Sequence, residues 1–392
     1  MAQRLDHSYS RGGRMKKINV ALVGLAFGGF FSEIYRLHPN VGRLILFDTD
    51  KVKEERLCKR LENVETVDSF EDILNDPDID AVHLVTPFTL HEEQSVAVLK
   101  SGKHCACTVP MAMSLEGIQA IVDEVKKSGK NYMLMETTLY TYPFFYAKKM
   151  LEQGEFGRIQ FLRGYHYQDM TKWPLYWMGL PPMYYGTHAF APIIDIAGSR
   201  VKSVRCVGSG TMNPEYTKYY QNPYPVESAL VEFENGLKAE VTRTLFETAK
   251  EYVEGFHVYG SKKAFEWGFK DDDKPMITTL NPPKEGRRGG FSTSEEAMYS
   301  DYSGTLPEEI REFTVSGGDF DPLNPQDSGK GKLGVGHHGS HPHLVHEFLS
   351  SILEERKPWI DEVFGANISA AGICAHASAM QDGKSVVVPK FI

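Results

Sequence analysis

The sequence is short of cysteine, of positive charge and of long apolar runs. Five cysteines, Cys58, Cys105, Cys107, Cys206 and Cys374, are scattered and odd in number. They form no paired redox or metal-finger spacing, which argues against a disulfide scaffold and for a reduced, cytoplasmic compartment. Cys105 and Cys107 are expected to be small residues at the end of a buried strand. The net charge is −9. A nucleic-acid binder needs a basic stripe to neutralise phosphates, and an anionic membrane surface attracts basic segments, so neither partner is expected. No apolar run approaches a membrane span. Residues Met1 to Arg14 lack the apolar stretch of a signal peptide and are expected to form a disordered arm.

What the chain does have is an ordinary apolar content, 41% of 392 residues, enough for two cores. From residue 15 to 137, short apolar strands alternate with helical patterns. Lys17 to Gly24 is a β-branched run ending in glycine, and Arg43 to Asp48 is a strand ending in an acid. Ala81 to Pro87, Cys105 to Val109 and Tyr132 to Met135 repeat the theme, with helices between them. This alternation predicts an α/β fold with a doubly wound parallel sheet. From 138 to 392 the strands lengthen and alternate in polarity, and Asn235-Gly236 marks a hairpin. This half is predicted as a second α/β domain with a large, mostly antiparallel open sheet. Its Gly-, Pro-, Asp- and Ser-rich stretch 270–339 is predicted as one long loop, within which Asp271-Asp272-Asp273-Lys274 is a solvated turn.

Gly24-Leu25-Ala26-Phe27-Gly28-Gly29 follows the first strand and opens the first helix. It is a GxGxxG fingerprint with Ala26 at the second glycine. Gly24 makes the turn, Ala26 lets backbone approach a pyrophosphate, and Gly29 packs helix on strand. Asp48, at the tip of the second strand, suits the ribose hydroxyls of NAD and repels a 2′-phosphate. Lys51 nearby leaves NADP open.

Ala81 to His91 resembles the "AVxIxTPxxxH" stretch of the Gfo/Idh/MocA oxidoreductase family. Gly102-Lys103-His104-Cys105 is similar to its "GKHV", and Leu151 to Ile159 to its passage into the second domain. The resemblance implies NAD contacts around Gly24, Ala26, Phe27, Gly28, Gly29, Asp48, Thr86, Pro87, His91 and Thr108, with Glu136 in the same set. It also implies that the open sheet pairs subunits into a homo-oligomer. One departure stands out. The family's "EKP" lysine, which helps to deprotonate the substrate hydroxyl, is Val109 here. Glu136-Thr137-Thr138-Leu139-Tyr140 and Tyr185-Gly186-Thr187-His188 resemble the "ENxxY" and "YPTH" stretches of the family's NAD-dependent α-N-acetylgalactosaminidase branch.

A proton acceptor is still required for hydride transfer from an alcohol. Taken alone, His188 reads as a core histidine in an aromatic patch. The resemblance makes it the base, with Tyr185 as its partner. The aromatic stretch from Tyr165 to Tyr184 reads either as a sugar-binding loop or as a hydrophobic core strand and loop. As a binding loop it offers His166, Asp169, Trp173 and Tyr184, to which Tyr140 and His338 are added. His337, His338, His341, His343 and His346 crowd ten residues. No Cys, Asp or Glu completes a known ligand spacing among them, so no metal is assigned.

Three readings follow. The first is an NAD-dependent oxidoreductase that oxidises a ring hydroxyl of a sugar or glycoside at C3. The second is a glycoside hydrolase that recycles NAD through C3 oxidation, elimination, water addition and re-reduction. The third is a non-catalytic NAD-bound sensor.

Overall fold

The computed structural model describes residues 17–268, 270, 273–298, 302–314 and 337–392. The arm predicted over residues 1–14, Asp271 and Asp272 of the predicted turn, and residues 315–336 of the predicted loop lie outside the described residues.

The first half runs β1 (Ile18–Val23), α1 (Gly29–Leu37), β2 (Val41–Phe47), α2 (Lys51–Cys58), β3 (Glu65–Thr66), α3 (Phe70–Asn75), β4 (Ala81–Leu84), α4 (His91–Lys100), β5 (His104–Cys107), α5 (Leu115–Ser128) and β6 (Tyr132–Leu134). The six strands pair in parallel in the order β3-β2-β1-β4-β5-β6. β4 and β6 are buried throughout, as strands covered by helices on both faces must be. Strand order reverses between β1 and β4, which opens a crevice at their carboxyl ends.

The second half runs α6 (Tyr142–Glu152), β7 (Ile159–Tyr167), α7 (Thr187–Ala197), β8 (Val201–Ser209), α8 (Pro214–Tyr220), β9 (Val226–Phe233), β10 (Lys238–Thr244), β11 (Val253–Gly260), β12 (Lys263–Glu266), β13 (Met276–Asn281), β14 (Phe291–Glu296), α9 (Ser340–Leu353), α10 (Glu362–Ala379) and β15 (Val386–Val387). Nine strands form one sheet in the order β14-β13-β12-β11-β7-β10-β9-β8-β15. β7 and β10 pair in parallel, and the other described pairs are antiparallel. The stretch 270–339 is therefore not one loop. β13 pairs with β12 and with β14, which extends the sheet. The pattern hid this hairpin because β14 is exposed along its whole length and carries no apolar alternation.

Both C-terminal helices also touch the first half. Ile360 carbonyl oxygen accepts from Leu134 N at 3.0 Å, and Ser369 Oγ accepts from Met111 N at 3.1 Å. Asn131 Nδ2 donates to Ser351 Oγ at 3.1 Å.

Register across the large sheet puts four polar residues in one row: Glu227 opposite Arg243, Arg243 opposite His166, and His166 opposite Glu254. Each is in phase with an apolar face, for example Glu254 with Phe256 and Val258, or Arg243 with Val241 and Ala239. All four are buried. Over this face lies α7, and Gly164 of β7 sets its distance. A Cβ on Gly164 would lie 2.0 Å from the Ala189 carbonyl oxygen. Backbone thus meets backbone there, and His188, the residue before Ala189, comes down beside His166.

Gly164→Ala is expected to cost about 2 kcal/mol or more, in the range of overpacked cores. Thermal unfolding measures it. An unchanged Tm in this variant would show that α7 does not rest on Gly164 as described.

Candidate active site

The glycine turn crosses the crevice between β1 and β4. Gly24 has φ +86°, and a Cβ there would lie 2.5 Å from the Val85 carbonyl oxygen. Only glycine combines that dihedral with that approach. Gly28 is also closely packed, since a Cβ there would meet the Gly24 oxygen at 2.0 Å. No side chain caps α1; the amides of Phe30 and Phe31 in its first turn bond to the Phe27 and Gly28 carbonyls at 3.1 and 2.9 Å. Asp48 Oδ2 accepts from Leu25 N at 2.7 Å and its Oδ1 from Asp50 N at 2.8 Å, so this carboxylate fixes the turn it serves. These residues fit a dinucleotide. Thr86 donates through Oγ1 to Gln94 Oε1 at 2.5 Å. Thr108 donates to the Leu84 carbonyl at 3.3 Å. Pro87 leads into a one-turn helix, Phe88–Leu90. His91 is buried, with Nδ1 2.7 Å from the Pro110 oxygen and Nε2 2.9 Å from the Thr86 oxygen. It therefore clamps the loops after β4 and β5 together, with both ring nitrogens committed to backbone.

At the same edge of the sheet, just past β6, stands Glu136. Its carboxylate is fully buried, and Oε1 lies 2.5 Å from His188 Nδ1 and 3.1 Å from Thr138 N. From β11 of the large sheet, Glu254 Oε2 approaches the same Nδ1 to 3.6 Å. Glu254 accepts from Thr138 Oγ1 at 3.0 Å and from Tyr252 Oη at 2.8 Å. Burial works against the His188 imidazolium, but Glu136 and Glu254 outweigh it, and the pKa rises above the usual histidine value. Burial likewise works against the Glu254 carboxylate, yet His188 and His337 hold it well below the usual range. With Nδ1 engaged, Nε2 is the ring atom left to exchange a proton with a substrate.

Around this pair, the His166 ring lies 5.1 Å from that of His188, edge to face, and its pKa is pushed down by burial and by Arg243. Arg243 is fully buried, where burial lowers its pKa. It donates to the carbonyls of Tyr185 (2.9 Å), His166 (3.2 Å) and Thr244 and to Gln168 Oε1 (2.9 Å). A ladder of rings then runs outward from His188 to Tyr185 (5.5 Å), from Tyr185 to Trp177 (4.7 Å) and from Trp177 to Trp173 (5.7 Å), where Trp173 reaches solvent. Burial raises the Tyr185 phenol despite Arg243 beside it, so Tyr185 stands ready as a hydroxyl donor and not as a phenolate base.

A cofactor turn, a histidine held by a carboxylate, and two sheets of these orders now stand together. Residues 18–136 match the family model described as oxidoreductase family, NAD-binding Rossmann fold. Residues 144–266 match the Gfo/Idh/MocA C-terminal domain. The chain belongs to the Gfo/Idh/MocA family. Its first half is an NAD-binding Rossmann domain. A glycosyl hydrolase family 109 protein of Porphyromonas gingivalis is 29% identical over 197 residues, 47% of this chain and 40% of that one. A levoglucosan dehydrogenase of Pseudarthrobacter phenanthrenivorans is 29% identical over 172 residues, 41% of this chain and 43% of that one. The chain thus spans less than half the length of these curated relatives. A solved levoglucosan dehydrogenase, in complex with NADH and levoglucosan, shares the fold at a TM-score of 0.75 and 23% identity, over 96% of this chain and 100% of that one.

Within this Gfo/Idh/MocA chain the remaining predicted residues divide. His338 comes near the cluster: its ring packs on Trp267 at 5.0 Å, and its charge reaches Glu254. Phe27 packs on His337 and His341 at 5.4 and 5.6 Å, which seats the start of α9 on the glycine turn. Three residues predicted for substrate lie elsewhere. Tyr140 is buried against Trp359 (5.3 Å) and Phe145 (6.2 Å), because the short helix Thr137–Tyr140 turns its ring toward α6. Asp169 is committed to the backbone amides of Thr171 and Glu247 at 2.7 and 3.1 Å. Tyr184 turns to His376 (5.2 Å), which is itself paired with Glu227 at 2.7 Å. Of the remaining histidines, His343 packs on Phe145 (5.0 Å) and His346 Nδ1 meets His38 Nε2 at 3.1 Å. No group of three potential metal ligands occurs among the described residues.

Glu254 and Arg243 escaped the sequence pattern, and Glu136 was placed with the cofactor instead of with His188. The available signal was a charged residue in phase with an apolar strand face, as in Glu254-Gly255-Phe256-His257-Val258.

Asp48→Ala removes an acceptor that holds the Leu25 amide of the glycine turn and that the sequence pattern assigns to the ribose hydroxyls of NAD. Affinity for NAD, measured by calorimetry, is expected to fall roughly tenfold or more, the worth of hydrogen bonds to one charged group. Unaltered affinity would remove Asp48 from the cofactor site.

Proposed function

We propose that this chain oxidises a ring hydroxyl of a sugar or glycoside, at C3, with NAD. The observation that carries the reading is the buried Glu136–His188 pair at the carboxyl edge of an NAD-binding sheet, in a chain whose family lysine is Val109. His188 takes over the task that valine cannot perform. Its Nε2 accepts the hydroxyl proton. Glu136, a positioning residue, keeps Nδ1 protonated and the ring fixed, the arrangement that makes a histidine an oriented base. NAD, when bound, supplies the acceptor for the hydride that leaves the carbinol carbon.

The chain's other groups bind and enclose. The ladder Tyr185–Trp177–Trp173 offers flat apolar faces to a pyranose ring, and the Tyr185 hydroxyl and His166 offer polar contacts to its hydroxyls. Burial of Glu136, His166 and Glu254 keeps water from the proton path. The relatives named glycosyl hydrolase family 109 favour a second reading, in which the same first step opens an NAD-recycling hydrolysis. A non-catalytic sensor rests on Val109 alone.

Purified protein with NAD and a panel of glucosides, galactosides and free sugars, followed by absorbance and mass, separates these readings. The expected result is stoichiometric NADH and a product two mass units lighter. Released aglycone without NADH marks the recycling hydrolase, and silence across the panel favours the sensor. His188→Ala is expected to abolish turnover while NAD still binds, and normal turnover would remove His188 from the mechanism. Because the imidazole is held protonated above its usual range, kcat/KM for oxidation should rise with pH through that range. A profile flat across it would contradict His188 as the base.

A further inference from the structure

One carboxylate suffices to orient an imidazole, yet His188 has two. Glu254 lies 3.6 Å from Nδ1, too far to share its proton and close enough to act through its field. Tyr252 and Thr138 both donate to it, the saturation expected of a permanently ionised group. We propose that Glu254 is a positioning residue that, together with Glu136, keeps a proton on His188 until positive charge enters the cleft. This rests on His188 being the proton carrier of the function proposed above.

The charge count supports it. Facing His188 are Glu136 and Thr138 from the segment after β6, Glu254 and Tyr252 from around β11, and His166 from β7. Arg243 from β10, Tyr185 before α7, and His337 and His338 before α9 complete the set. His166 is neutral, because burial and Arg243 oppose its charge. Two carboxylates then face Arg243 and a protonated His188, and His337 and His338 add positive charge at Glu254. Taking that proton away removes the positive charge that Glu136 and Glu254 share at His188 in a buried cluster, which is costly. An oxidised nicotinamide ring carries the positive charge that restores the balance, and a reduced one does not. The same imidazole is thereby a base when oxidised cofactor is present and an acid when reduced cofactor is present.

The His188 ring can be titrated by nitrogen-15 NMR in the free protein, with NAD, and with NADH. In the free protein the ring should hold its proton above the usual histidine value of about 6.5. NAD should lower the midpoint, and NADH should leave it near that of the free protein. Glu254→Gln should lower the free-protein midpoint by about one pH unit or more, the effect of a nearby opposite charge. Glu254→Asp should restore part of the shift. Equal midpoints in wild type and Glu254→Gln would overturn the proposal. Should that variant not fold, equal wild-type midpoints with NAD and NADH overturn it on their own. If the midpoints move as stated and no sugar yields NADH, the charge device stands and the dehydrogenase reading falls.

Discussion

His188 is where the two halves of the molecule are tied electrostatically. Glu136 comes from the edge of the parallel sheet, Glu254 from the middle of the mostly antiparallel one, and the imidazole lies between them on α7. Neither carboxylate tolerates burial alone, since an ionised group out of water needs compensation. Each is compensated only when α7 is seated at the depth that Gly164 permits. Packing of backbone on backbone thus comes first, the ion cluster follows, and the relative placement of cofactor cleft and sheet follows from both.

In the proposed function the same cluster is what lets the chain do without the family lysine. An ammonium at position 109 would have brought its own charge and proton. Val109 is buried and apolar, and in the function proposed above the work passes to an imidazole supported by two acids. Arg243, fixed by three carbonyls and Gln168, supplies the remaining positive charge without a carboxylate of its own. The rings of Tyr185, Trp177 and Trp173 then give one continuous aromatic wall from this charge cluster to solvent. Phe88, on the loop after β4, packs against Trp177 at 4.8 Å and ties that wall to the cofactor domain.

Several features were legible in the order of residues because their causes are local. The glycine turn, the acid at the tip of β2, the alternation of β1 to β6 and the Asn235-Gly236 hairpin depend on neighbours in sequence, through dihedral freedom, burial on two faces and turn geometry. His188 became a candidate base only through the resemblance of Tyr185-Gly186-Thr187-His188 to a family stretch, since its local setting reads as a core histidine in an aromatic patch. β13 and β14 were not legible, because the hairpin is held by backbone pairing and its outer strand, β14, is exposed throughout and carries no apolar period.

Glu254, Arg243 and the partner of His188 were decided only by the tertiary structure. Glu136 and His188 are far apart in sequence and meet through the seating of α7, whereas sheet register sets His166 between Arg243 and Glu254. Tyr140, Asp169 and Tyr184 had the right chemistry for a sugar site, but helix phase and loop hydrogen bonds took them elsewhere. The sequence by itself determined that a dinucleotide turn opens a doubly wound sheet and that the family lysine is a valine, Val109. Which charges surround that histidine, and hence its protonation, depended on long-range pairing, because an electrostatic environment is a property of distances in space.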